Sequence, residues 1–278
     1  MKKIRVLTVF NLLAFLLHVG LSYATQFKLV NNQDVAQVSN KYASLFTPAG
    51  ITFAIWGLIY VSLGAFCIYH IIKAWTRGIV DPANVDVQRM GGWFILNNLV
   101  TASWLLAWTN EYIALSLALI VVQLITLAVI NLRLHIYNPV RVFSDRVFSH
   151  FPLSIYLGWI TIATIANASI YLVYTGWQGY GVRHIDWTRI MIGAAVIISV
   201  LVVLTRRNVF YGLVIIWALY GIILKLNQTD SIEYFEIIQA AWIGIAVMGL
   251  VCILQLIRNN LPENKFEPPF PAAPHSLK

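Results

Sequence analysis

Residues 151–174 read FPLSIYLGWITIATIANASIYLVY, without a single Asp, Glu, Lys or Arg. A helix rises 1.5 Å per residue, so about 20 apolar residues cross the roughly 30 Å hydrocarbon layer of a bilayer. This stretch is long enough. Its apolar residues run on continuously instead of alternating, which points to a helix and not to a barrel strand.

Seven further segments of the same kind flank it, at 6–24, 48–72, 91–108, 112–132, 190–205, 208–224 and 234–257. The last carries Glu236 near its start, and those at 190–205 and 208–224 are short. The 278-residue chain is 59% hydrophobic and only 11% charged, with a mean hydropathy of +0.75. A soluble domain carries about 25% charged residues, so soluble, disordered and disulfide-rich secreted classes are set aside. Cys67 and Cys252 lie in apolar runs and read as buried free thiols. The expected fold is all-α, a polytopic transmembrane bundle of about eight spans.

The first segment follows Lys2, Lys3 and Arg5 and closes on Ser22-Tyr23-Ala24, the order of a signal peptide. Its apolar run of about 19 residues exceeds the usual 7–15, so a retained anchor is expected. With the N-terminus inside, 14 of the 19 basic residues fall on the cytoplasmic side, as the positive-inside rule requires. Arg206-Arg207 marks a tight turn there. The net charge of +8 is therefore topological. It forms no dense basic stripe, and nucleic acid is not an expected partner. Five prolines after Asn259 make the tail a disordered cytoplasmic end.

The span centres hold no charge, which argues against carboxylate-driven proton coupling. Glu236, His18 and His70 read as residues near helix ends. Asn98, Thr101 and Trp104 share one helical face, serving either as helix–helix glue or as a cavity wall. Tyr156, Trp159, Ala163 and Asn167 follow a 3-4-4 spacing down another face, either a packing seam or a ligand wall. Trp75, Trp93, Trp108, Trp177 and Trp187 fall near span ends, as an interfacial belt would. Trp159, Trp217 and Trp242 lie deep, where an indole N–H seeks an acceptor.

The stretch from Pro48 through Trp56 and Tyr60 to Gly64 resembles the proline-to-Trp-x3-Tyr-x3-Gly signature of the TspO/MBR family. These are tryptophan-rich sensory proteins related to the mitochondrial translocator protein. Tyr156, Trp159, Ala163 and Asn167 match that family's second signature, although Pro152 stands four residues before the Tyr instead of adjoining it. The third-span element departs, with Thr101 three residues before Trp104 and Asn98 one turn earlier.

The resemblance covers roughly residues 1–175, a five-helix unit. Residues 176–258 then add three spans, and 259–278 the Pro-rich tail, as in longer bacterial members. It implies a cavity under the first long loop (residues 25–47) that receives flat hydrophobic ligands, chiefly porphyrins and haem intermediates. The residues implied to line or frame it are Pro48, Trp56, Tyr60, Asn98, Trp104, Tyr156, Trp159, Ala163 and Asn167. Loose sterol-recognition patterns at 134–141 and 214–225 carry no weight.

The expected function is a membrane protein that binds a tetrapyrrole-like ligand for sensing or transport. Its rivals are a light- and oxygen-dependent porphyrin-degrading enzyme and a facilitator of small hydrophobic molecules. No catalytic residue, metal site or resident cofactor is expected, a porphyrin or haem-like compound being a ligand. The expected partners are membrane lipid and a hydrophobic small molecule, with a homodimer left open. The expected place is a bacterial cell membrane, with both termini cytoplasmic.

Overall fold

A computed structural model describes residues 1–42, 44–136, 143–177 and 179–260. The Pro-rich tail lies outside the described residues from position 261 on, as do Tyr137 and Arg141. Among the described residues the regular structure is entirely helical. In chain order the helices are α1 (Lys2–Gln26), α2 (Val35–Lys41), α3 (Ile55–Thr76), α4 (Pro82–Met90) and α5 (Trp93–Thr109). They continue with α6 (Ile113–Leu134), the single turn α7 (Phe143–Asp145), α8 (Phe151–Tyr174), α9 (His184–Arg206), α10 (Val209–Thr229) and α11 (Phe235–Asn260).

The two short helices α2 and α4 follow from local chemistry. Asp34 accepts from the Gln37 N–H while the Gln37 side chain reaches back to the Asp34 N–H, a reciprocal cap that holds one short turn. Asp81 caps α4 and Pro82 opens it, where a missing N–H costs nothing.

Among the described residues, seven helical segments are long and apolar enough to cross a membrane. They account for seven of the eight expected spans. The remaining one, α5, has 17 residues, a rise of about 25 Å, and packs between α1 and α6.

The stretch that opened the sequence reading, α8, is the axis of the bundle. It packs against α3, α6, α9 and α10, and every residue from Pro152 to Ile162 is buried. Gly158 lets α10 come close, since a Cβ there would meet Tyr211 O and Val214 Cβ at 3.0 Å. One apolar core takes residues from both sides of position 175.

The helix expected from residue 190 begins at His184. Arg183 bonds Asp186 at 2.8 Å, and Arg189 bonds Asp186 at 3.1 Å and Glu236 at 2.7 Å. Paired charges let α9 extend past the apolar run and tie it to α11.

Other expectations are corrected by burial. His18 and His70, in the last third of their helices, are buried inside the bundle, bonded to Asn98 (3.0 Å) and Ser149 (3.0 Å). Trp108 is not a belt residue and is 2% exposed. Trp242, expected inside, is 50% exposed and meets the Tyr220 ring edge-on. Trp217 does find an acceptor at depth, Thr52 O at 3.0 Å. Cys67 and Cys252 are buried free thiols.

Candidate ligand cavity

The 3-4-4 spacing on α8 divides by depth. Trp159, Ala163 and Asn167 face a cavity of about 40 Å³, whose walls also include Pro48, Trp56 and Trp104. A second chamber of about 200 Å³ adjoins it, lined by His18, Ser22, Tyr60 and Thr101 among others. Val35, Phe53, Trp56 and Trp104 belong to both walls, so these four side chains form the partition.

The partition is built from π faces. Trp56 stacks on Tyr60 at 5.3 Å between centroids and meets Trp159 edge-on at 6.3 Å. Phe53 meets Trp159 edge-on at 5.7 Å. Trp104 stacks on Trp108 at 5.6 Å. Small Ala163 and Ala166 line the same cavity. No Asp, Glu, Lys or Arg lines either chamber.

Polar atoms in this wall are bonded to one another. Trp104 Nε1 donates to Asn167 Oδ1 at 3.3 Å, and Asn167 Nδ2 donates to Ala163 O at 3.1 Å. The Tyr60 hydroxyl shares a 2.7 Å bond with Ser22 Oγ.

Two of the nine expected residues stand behind the wall. The Tyr156 hydroxyl is 2.9 Å from Thr101 Oγ1 and accepts from Gln123 Nε2 at 2.8 Å, which joins α8 to α5 and α6. Asn98 Nδ2 donates to Phe94 O at 2.8 Å, and its Oδ1 meets His18 Nδ1. Asn98 and Asn97 therefore act as glue, the latter through Gln123 O and Thr126 Oγ1. Trp104, on the same helix, is wall. So the two alternatives left open for α5 each hold for different residues.

Sequence reasoning missed His18, Phe53, Trp108 and Gln123 as cavity residues. Gln123 carried a readable signal, an amide in the middle of an uncharged span.

Helix α2 closes the cavity from above. Val35 O accepts from Trp108 Nε1 at 3.1 Å, and Asn31 Nδ2 donates to Thr109 O at 2.6 Å. Glu111 then gathers three donors from the lid: Gln33 Nε2 at 2.8 Å, Lys41 Nζ at 2.7 Å and the Tyr42 hydroxyl at 2.8 Å. Those bonds hold the Glu111 carboxyl down at about 2. Loss of hydration, followed by the bond to Glu111, pushes the Tyr42 phenol up to about 12.

The other rim of the lid rests on α10. Ala49 N–H donates to Gly221 O at 2.9 Å, and three residues on, Thr52 O accepts from Trp217 Nε1 at 3.0 Å. A Cβ on Gly221 would strike the Thr52 side chain and come within 2.9 Å of Pro48 Cβ. Helix α10 thus holds the segment that carries Pro48 and Phe53.

A family model described as TSPO-like protein matches residues 8–254. The match runs beyond position 175 and takes in α9, α10 and most of α11. No curated protein and no solved structure matches the chain.

Proposed function

This chain belongs to the TSPO-like protein family, and on that footing we propose that it binds a flat, hydrophobic, tetrapyrrole-like ligand for sensing or transport. It is a multi-pass membrane protein. The observation that carries the reading is one cavity lined by the rings of Phe53, Trp56, Trp104 and Trp159 together with the small Ala163. Large π surfaces beside a small residue suit a planar molecule, and the uncharged lining suits an apolar one.

Both chambers are too small for a macrocycle in this state. Sites for drug-sized ligands measure roughly 300–1,000 Å³, well above the 40 and 200 Å³ of the two chambers. A macrocycle enters only if the α2 lid lifts and the partition turns aside. The ligand then replaces contacts between aromatic rings with contacts to its own faces.

The test is a titration of protoporphyrin IX, followed by its absorbance, against the protein in lipid nanodiscs. Saturable binding is expected, weakened about tenfold in Trp159→Phe if the indole contributes about 1.4 kcal/mol. A linear, non-saturating response equal to that of empty nanodiscs would rule the reading out.

A further inference from the structure

We infer that His18 supplies a hydrogen-bond acceptor to the ligand, so that the lower chamber selects a neutral aromatic group bearing an N–H or O–H. The inference rests on the ligand-binding reading above and adds the chemistry of one edge of that ligand.

The tautomer of His18 follows from its neighbour. Asn98 turns its amide Nδ2 to Phe94 O and presents Oδ1 to His18 Nδ1 at 3.0 Å. A carbonyl-type oxygen only accepts, so the proton between them sits on Nδ1. In the neutral ring Nε2 then carries a lone pair. That atom is buried and has no hydrogen-bond partner among the described residues, although His18 lines the chamber of about 200 Å³. A buried acceptor without a donor is unfavourable, and such an atom in a native fold calls for a partner.

The surroundings define what the partner is. Aromatic rings flank the imidazole: Tyr60 lies 5.4 Å away and Trp56 6.3 Å, both edge-on at 85°. Among the described residues no Asp, Glu, Lys or Arg lines this chamber, so a charged group would meet no opposite charge there. The Ser22–Tyr60 pair shares one hydrogen bond, which leaves one of its two hydroxyl protons to spare. The chamber thus offers the His18 acceptor and a spare hydroxyl proton among aromatic walls, with the Gln26 side chain also in its lining.

Indole and benzofuran serve as probes, being nearly the same size and shape, with an N–H in the first and an ether oxygen in the second. Their binding to nanodisc-embedded protein is measured against empty nanodiscs. The intact protein is expected to bind indole about tenfold more tightly than benzofuran, and His18→Leu to bind both alike. In ¹⁵N-histidine-labelled protein, the Nε2 resonance missing from His18→Gln is expected to move upfield with indole and to stay put with benzofuran.

Equal affinity for the two probes in the intact protein would overturn the inference. So would a preference for indole that survives in His18→Leu, or an Nε2 resonance unmoved by indole, as when water alone occupies the atom. Protoporphyrin IX titrated into the same samples separates the two proposals. Porphyrin binding without indole selectivity removes only the role of His18, while absence of porphyrin binding removes the tetrapyrrole reading.

Discussion

Tyr156 and Ala163 stand two turns apart on α8 and act on different links of the chain from sequence to function. Tyr156 is fully buried, and its hydroxyl accepts the Gln123 amide while meeting Thr101. Removing that oxygen strands Gln123 Nε2 inside the bundle. Hydrogen bonds within membrane proteins average about 0.6 kcal/mol and reach about 1.7. Tyr156→Phe is therefore expected to lower stability by about 1 kcal/mol in a denaturant titration, with porphyrin affinity changed less than threefold. A large loss of affinity at unchanged stability would place Tyr156 in the ligand wall after all. The face shared by Tyr156, Trp159, Ala163 and Asn167 was legible from spacing alone. Which of the four reach the cavity was not, because depth depends on the neighbouring helices. His18 was illegible for a related reason: its partner Asn98 lies 80 residues away in sequence, and nothing local marks the pair.

At the scale of elements, the lid is held at two ends by different physics. One end is electrostatic. The Glu111 carboxyl is held near 2, below its ordinary 4.5, so its grip is fully present above pH 4.5 and fades as pH falls toward 2. Glu111→Gln keeps the shape and removes the charge at neutral pH. The amides of residues 31–42 are then expected to lose hydrogen-exchange protection while those of α8 keep theirs. Unchanged protection across the lid would show that Glu111 is not a latch. The other end is steric, where Gly221 lets the Pro48–Thr52 segment lie against α10. Gly221→Ala is expected to cost about 1–3 kcal/mol, as overpacking does, and to weaken porphyrin binding through the displaced Pro48 and Phe53. The long apolar helices were readable from hydropathy. The short α2 was not read, although its Asp34-x-x-Gln37 cap lay in plain view, because a single capped turn has no hydrophobic period of its own.

On the scale of the whole molecule, α9–α11 and the helices before them form one bundle around α8. The helices after residue 175 are thereby coupled to the cavity through α10. The asymmetry of basic residues proposes an orientation with the N-terminus and the Arg206-Arg207 turn in the cytoplasm and the lid outside. With both native cysteines buried, a membrane-impermeant thiol reagent is expected to label Lys28→Cys in intact cells. It should reach Lys2→Cys only after permeabilisation, and the reverse pattern would invert the topology.

The central claim is that the space between Ala163 and the aromatic partition receives the ligand. Ala163→Leu adds three carbons to a cavity of about 40 Å³ and leaves the hydrogen bonds of the wall in place. Titrated with protoporphyrin IX beside the unaltered protein, the variant is expected to stay folded and to bind at least tenfold more weakly. Equal affinity in the two proteins would contradict the claim and put the ligand elsewhere.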